Sequence, residues 1–180
     1  MRTLGLIPAR AGSRRLPGKN KANCAGKPLV MWTVEAALCS DLDCVVVSTD
    51  DWDICDLAYP ECEIRVRPPQ FCTDRATSRA VIRDALEHFP GYDRVMLLQP
   101  TSPLRDVWDI QKCLHDHDTV VSVSTWSAGM EPVPNGAIYL MRTDALMQYA
   151  DRYEMAPYRS IDIDDAVDLK EAERRLLEQR

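Results

Sequence analysis

The chain has 180 residues, 46% of them hydrophobic and 28% charged, with a formal net charge of -6. A chain of this length buries roughly 70% of its unfolded surface, which supports one core and favours a single domain over residues 1–180. That composition excludes global disorder, and no stretch approaches the ~20 apolar residues of a membrane span.

The charge is unevenly placed. The first 34 residues carry seven basic side chains and no acid; the first acid is Glu35. The remainder holds 15 basic against 28 acidic residues. Affinity for a nucleic-acid backbone comes from clustered Lys and Arg, so this balance argues against nucleic acid as a partner. A basic cluster confined to the N-terminus points instead to a small anionic ligand. The initial apolar run is too short for a signal peptide, so no leader is expected. Seven cysteines, an odd number without any C-x-x-C pair, indicate reduced thiols and a cytoplasmic protein.

In chain order, Leu4 to Pro8 is a short apolar run that reads as a buried strand, followed by a Gly-containing basic loop. Apolar residues at 30, 31, 34, 37 and 38 give Pro28 to Leu38 a helical spacing with Pro in the first turn. Cys44 to Val47 reads as a second buried strand, Asp51 to Ala58 as a short helix and Glu63 to Val66 as a short strand. Thr77 to Phe89 is helical, Val95 to Leu98 a strand, Asp106 to Leu114 helical and Thr119 to Val123 a strand. Ala137 to Met141 is another strand, and Asp165 to Leu177 a terminal helix. Alternation of strand and helix predicts an α/β fold, a mostly parallel sheet covered by helices. Ligands of such sheets bind beyond the carboxyl ends of the strands, which gathers residues 9–20, 48–51, 99–105 and 162–165 on one rim.

The loop Ala9-Arg10-Ala11-Gly12-Ser13-Arg14-Arg15-Leu16-Pro17-Gly18-Lys19-Asn20 offers four cations, a hydroxyl, backbone donors and a close backbone approach at Gly12. Those are the needs of a triphosphate, although neither a Walker A loop nor G-x-G-x-x-G is present. In Ser160-Ile161-Asp162-Ile163-Asp164-Asp165 an extended backbone turns Asp162 and Asp164 to one side. Two such carboxylates suit a hard divalent cation held together with phosphate oxygens; they also suit helix capping, the role expected of Asp165 and Asp168. Arg67 ahead of Pro68-Pro69, with Asp74 and Ser78 downstream, fits either a base or ribose contact or a structural turn. Asn135 and Tyr139 set polar tips at the start of a strand. The run His115-Asp116-His117-Asp118 reads as a solvated turn, and Trp32, Trp52, Trp108 and Trp126 as packing residues. The cysteines lack a nucleophile's surroundings.

Together these segments resemble the CMP-sialic acid synthetases (acylneuraminate cytidylyltransferases) and, more loosely, the CMP-Kdo synthetases. The resemblance rests on I-P-A-R-A-G-S-R-R-L-P-G-K-N at 7–20, V-S-T-D at 47–50, and R-P with downstream D and S at 67–78. It continues through L-L-Q-P-T-S-P-L-R at 97–105, N-G-A-I-Y at 135–139 and S-I-D-I-D with D-L at 160–169. It implies a three-layer, Rossmann-like nucleotidyltransferase fold. The implied reaction joins CTP to a nonulosonic acid such as N-acetylneuraminate, releasing pyrophosphate.

By resemblance, Arg10, Arg14 and Lys19 hold the triphosphate, and Ala9, Ala11, Asn20, Arg67 and Ser78 match nucleotide-side positions. Gln99, Asn135 and Tyr139 match sugar-side positions. Asp162 and Asp164 match the pair that binds Mg²⁺ or Mn²⁺, and Arg10, Lys19 and Asp164 form the catalytic set. Transfer to Kdo or another acidic sugar, or nucleotide binding without catalysis, are the alternatives. Relatives form homodimers through a long insertion that is reduced here to residues 124–134, and the segment 141–160 is also short.

Overall fold

A computed structural model describes residues 1–124 and 130–179. Among the described residues there are nine strands: β1 (Thr3–Pro8), β2 (Asn23–Cys24), β3 (Lys27–Pro28), β4 (Cys44–Thr49), β5 (Glu63–Val66), β6 (Arg94–Leu98), β7 (Val120–Ser124), β8 (Val133–Arg142) and β9 (Asp151–Glu154). The α-helices are α1 (Leu29–Leu38), α2 (Trp52–Ala58), α3 (Ser78–His88), α4 (Val107–Asp116) and α5 (Ala166–Glu178). Seven strands form one sheet in the order β5-β4-β1-β6-β8-β7-β9; β2 and β3 make a separate two-stranded ribbon.

The sheet is buried on both faces, which is why its strands read as continuous apolar runs. Alternate residues separate cleanly. Ile7, Val45, Val47, Met96 and Leu98 pack on one face with α1, α2 and α4. Leu4, Leu6, Val46, Val95 and Leu97 pack on the other with α3. A third cluster joins Cys24 and Leu29 to Ile161, Ile163, Ala172 and Leu176, seating α5. Gly5 leaves room for Leu42: a Cβ there would stand 2.7 Å from the end of that side chain, which would have to shift. Helix starts follow their capping residues. Asp51 and Thr77 accept backbone N–H groups at α2 and α3, while Asp106 with Asp109, and Asp165 with Asp168, close reciprocal capping boxes at α4 and α5.

β1 pairs in parallel with β4 and β6, and β4 with β5, as the strand–helix alternation predicts. β8 runs antiparallel to both β6 and β7. That reversal decides the site, because the start of an antiparallel strand lies beside the carboxyl ends of its parallel neighbours. Residues 133–139 thereby join the rim. β8 is longer than the expected 137–141, and the β2–β3 ribbon and β9 were not expected at all.

Two tryptophans depart from expectation. Trp52 and Trp108 are 70% and 64% exposed, on the first residue of α2 and the second of α4. Trp32 does pack, with its indole N–H donating to the Cys24 carbonyl at 2.9 Å and the Lys27 ammonium over its ring. Trp126 lies outside the described residues. The run expected as a solvated turn is in part helical: His115 and Asp116 form the last turn of α4, with His115 beside Asp41, and the half-buried His117 caps it beside Asp151.

Candidate functional site

The loop after β1 is pinned to the end of β4. The Ala9 N–H donates to the Ser48 carbonyl at 2.9 Å, and the Thr49 hydroxyl donates to the Ala9 carbonyl at 2.6 Å. The Ala11 N–H donates to Asp50 at 2.7 Å, and the Asn20 amide donates to the Arg10 carbonyl at 3.0 Å. Ala9, Ala11 and Asn20 thus set the path of the loop. Gly12 faces open space, where a Cβ would meet nothing within 4 Å. Gly18 is the constrained glycine, at φ +68 before the single 3₁₀ turn Lys19–Lys21.

A cavity of about 580 Å³ opens beside this loop, lined by Arg10, Gly12, Ser13, Arg14 and Asp74. Asp74 bridges both arginines. Its carboxylate takes Arg10 NH2 at 2.5 Å and also pairs with Arg14 Nε. The Arg10 guanidinium, helped by Arg14, holds the Asp74 carboxyl below its ordinary range. Arg15 and Lys19 turn the other way. Arg15 pairs with Asp164 at 2.7 Å; the Lys19 ammonium donates to the Ile163 carbonyl at 2.7 Å and stands 3.9 Å from Asp164. Burial pulls the Lys19 amine down from its usual value, while Asp164 and Asp162 push it up.

A second, narrower cavity of about 190 Å³ shares Arg10 and Asp74 with the first and adds Arg67, Phe71, Ser78 and Leu97. Arg67 is only 6% exposed. Its Nε donates to the Ser48 hydroxyl at 3.1 Å and NH2 to the Ser48 carbonyl at 2.8 Å, and burial draws its pKa downward. Ser78 opens α3 at the mouth of this space.

Gln99 lines that cavity and also a third, of about 540 Å³, with Asn135, Gly136, Tyr139, Ser160 and Asp162. Three spaces therefore run along the rim with shared walls. The Asn135 amide is committed within the fold: it accepts from the Ser122 hydroxyl at 2.6 Å and donates to the Ser160 hydroxyl at 3.1 Å. Burial, then the charge of Asp162, pushes the Tyr139 phenol up. Asp162 is exposed on one side, yet the protein crowded around its carboxyl raises it, and the neighbouring Asp164 adds to the rise.

The Asp162–Asp164 segment is held by an Ile163 N–H bond to the Thr101 carbonyl at 2.8 Å and by the Asp164 N–H bond to Asp168 at 2.9 Å. Asp162 is a carboxylate short of positive charge, which a hard cation would relieve. Among the described residues no three His, Cys, Asp or Glu side chains gather closely enough to hold a metal. A cation here would need oxygens from a ligand and water to complete its shell.

Three further residues belong to the site. Arg15 faces Asp164, a pairing no spacing announces. Arg105, in the motif that ends at residue 105, is fully buried and ties Gln99 to β8. Arg175 reaches the third cavity from α5; its only signal is the register of residues 168, 171 and 175 on one helix face.

A three-layer α/β sandwich whose basic loop, buried arginine and paired carboxylates line one rim defines a protein of the nucleotidyltransferase fold. Solved structures with this fold include a CMP:2-keto-3-deoxy-manno-octonic acid synthetase complexed with CTP (TM-score 0.73, 16% identity, 100% of both chains). Another is a 4-diphosphocytidyl-2C-methyl-D-erythritol synthase (TM-score 0.67, 12% identity, 97% of this chain and 99% of that one). The family model described as Cytidylyltransferase matches residues 4–133, and the chain belongs to that family.

Among curated relatives, an N-acylneuraminate cytidylyltransferase of Streptococcus agalactiae is 38% identical over 133 residues, 69% of this chain and 32% of its own length. A CMP-N,N'-diacetyllegionaminic acid synthase of Legionella pneumophila is 43% identical over 135 residues, 69% of this chain and 58% of the relative. An N-acylneuraminate cytidylyltransferase of Escherichia coli is 32% identical, covering 94% of this chain and 51% of the relative. The chain thus spans about a third to three fifths of the length of these relatives. The Escherichia coli match extends over 215 aligned positions, more than this chain contains, so that relative carries insertions absent here. No helix among the described residues is long and apolar enough to cross a membrane.

Proposed function

We propose that the chain transfers CMP from CTP to the anomeric hydroxyl of a nonulosonic acid, releasing pyrophosphate. The observation that carries this reading is the run of three cavities with shared walls, each with the chemistry of one part of the reaction. The 190 Å³ space bounded by Arg67 and Ser78 suits the cytidine. The 580 Å³ space with Arg10 and Arg14 suits the triphosphate. The 540 Å³ space with Gln99, Asn135 and Tyr139 suits a hydroxylated acceptor. Gln99 stands between base and acceptor, where the α-phosphate must pass.

In this reading Arg10, Arg14 and Lys19 neutralise the triphosphate and stabilise charge on the departing pyrophosphate. Ala9, Ala11 and Asn20 shape the loop so that its backbone donors meet the nucleotide. Arg67, stiffened by Ser48, and Ser78 read the base and ribose. Gln99 and Tyr139 orient the acceptor hydroxyl toward phosphorus, with Asn135 fixing the strand from which Tyr139 projects. Asp162 and Asp164 would hold Mg²⁺ or Mn²⁺, which when bound offsets the repulsion between two anionic substrates. Asp164 also positions Lys19 and Arg15. Seven free thiols support a reducing compartment, the cytoplasm.

The test is pyrophosphate release by the purified chain with CTP, Mg²⁺ and a panel of acidic nine-carbon sugars and Kdo. Release with a nonulosonic acid and not with Kdo is the expected result. Tight CTP binding without release from any sugar would overturn catalysis in favour of a nucleotide-binding module.

A further inference from the structure

The 540 Å³ cavity has four charged side chains in its wall. Asp162, Asp168 and Glu171 are acids, and Arg175 is the single cation among the described residues that line it. An acidic acceptor entering such a space meets net repulsion unless the acids are already engaged and the cation is available. Two of the acids are engaged within the fold, and the proposed metal would engage the third. Asp168 spends its carboxylate on the backbone N–H groups of Asp164 and Asp165. Asp162 belongs to the proposed metal pair. Glu171 is held by Arg174 through two bonds, at 2.9 and 2.7 Å, and by Arg175 Nε at 2.7 Å.

Arg174 also pairs with Glu178, so it offsets the Glu171 charge in part when Arg175 turns to a ligand. A guanidinium carries five N–H donors. Glu171 and the Tyr158 carbonyl take two of those on Arg175, and among the described contacts three stay unused. The contact with Tyr158 also braces the residue 157–159 turn that leads into the cavity wall. The Arg175 side chain is 24% exposed, partly dry and still reachable. A planar fork in that setting is suited to a carboxylate.

We propose that Arg175 is a specificity-determining residue that takes the carboxylate of the acceptor, so that the cavity prefers an acidic sugar over its neutral counterpart. The proposal rests on the cytidylyl-transfer reading above and adds to it which group of this chain recognises the acid.

The experiment uses the whole chain with CTP, Mg²⁺ and whichever of N-acetylneuraminate, N,N'-diacetyllegionaminate or pseudaminate it accepts, each compared with its methyl ester. Pyrophosphate release is measured for wild type, Arg175→Gln, Arg175→Lys and Arg174→Gln. Wild type should prefer acid over ester. Arg175→Gln should raise KM for the acid about tenfold or more, the loss of a charge-assisted contact, and bring the acid-to-ester preference close to one. KM for CTP should stay within about twofold, Arg175→Lys should recover part of the preference, and Arg174→Gln should weaken it without abolishing it, because Glu171 then draws on Arg175 alone. A variant that merely loosened the 157–159 turn would lower turnover of acid and ester alike and leave their ratio intact. That unchanged ratio in Arg175→Gln, or no preference in wild type, overturns the proposal while leaving cytidylyl transfer standing. No release from wild type with any of the three acids removes the underlying reading, and this proposal with it.

Discussion

Gly136 leaves the space against which the Asp162 carboxylate rests. A Cβ built at residue 136 would stand 3.4 Å from Asp162 Oδ2, and the backbone there has φ +80. The restriction at residue 136 is the left-handed backbone, which L side chains resist; an added methyl would itself sit in ordinary contact with the carboxylate. Asp162 is in turn a wall of the acceptor cavity. Gly136→Ala should therefore cost about 1–2 kcal/mol from the backbone alone, lowering Tm by roughly 2–8 °C in a chain of this size. Relaxation of the strained backbone should move the Asp162 carboxylate that packs on it and reduce turnover by about tenfold or more. Thermal unfolding and pyrophosphate release check the two halves; wild-type values in both would show that the contact constrains nothing.

Asp164 offers a cleaner separation of fold from chemistry. Its carboxylate is 40% exposed and faces Arg15 at 2.7 Å. Exposed pairs of this kind contribute about 0–1 kcal/mol, so Asp164→Asn should shift Tm by only a few degrees. Turnover should vanish, because the variant removes one of two carboxylates proposed to share the cation and releases Arg15 and Lys19 from their partner. Wild-type turnover in Asp164→Asn would exclude the metal assignment.

The chain's β1, β4 and β6 were legible because burial on both faces demands unbroken apolar runs such as Val45-Val46-Val47, whatever the surrounding fold. Direction was not. The spacing of Ala137 to Met141 marks a strand equally well in either sense, and only pairing with β6 and β7 makes it antiparallel. β9 was hidden for the opposite reason: Asp151-Arg152-Tyr153-Glu154 lies at the sheet edge, mostly exposed, with little apolar signal to carry. Trp52 and Trp108 misled because aromatic size suggests packing while their helix-terminal positions face outward. In the site, Arg10, Arg67, Gln99 and Asp162 could be named because they sit in compact local motifs. Arg15 and Arg175 could not, since their importance arises from partners 149 and four residues away that meet only after folding.

Asp74 makes a testable counterpart to the basic loop. It occupies, with one carboxylate, the two guanidinium groups proposed for phosphate. CTP must compete for Arg10 and Arg14, so Asp74→Asn should tighten CTP binding severalfold, most clearly at low salt. The pH dependence follows in sign. Arg10 first, then Arg14, depresses the folded-state pKa of Asp74. The clamp's contribution to stability is thus fully present above the ordinary carboxylate range and lost as pH falls through the lower, folded value. Asp74→Asn should flatten that part of the Tm profile. Weaker CTP binding in the variant, measured by calorimetry, would instead mean that Asp74 orders Arg10 for its ligand.

Arg105 is the structural counterpart on the acceptor side, only 2% exposed. NH1 donates to the carbonyls of Gln99 at 3.1 Å and Ala137 at 2.8 Å, and NH2 donates to the Thr33 hydroxyl at 2.6 Å. Burial lowers its pKa to about 10, still far enough above neutrality for the cation to persist. One side chain thereby joins the end of β6, the middle of β8 and α1, with no carboxylate among the described residues hydrogen-bonded to its guanidinium. Arg105→Met keeps much of the aliphatic bulk and takes this donor from the Ala137 carbonyl and the Thr33 hydroxyl, while the Gln99 carbonyl keeps the Ser102 N–H and the Thr33 hydroxyl. Each orphaned acceptor costs about 1–3 kcal/mol, so a loss of roughly 3–5 kcal/mol is expected, with Tm falling by about 6–20 °C. Below that transition the folded fraction should bind CTP nearly as wild type does. KM for the acceptor should rise, because Gln99 and the 135–139 segment lose their common anchor. A variant as stable as wild type, with both KM values unchanged, would show that Arg105 is an occupant of the core and not the link between the two cavity walls.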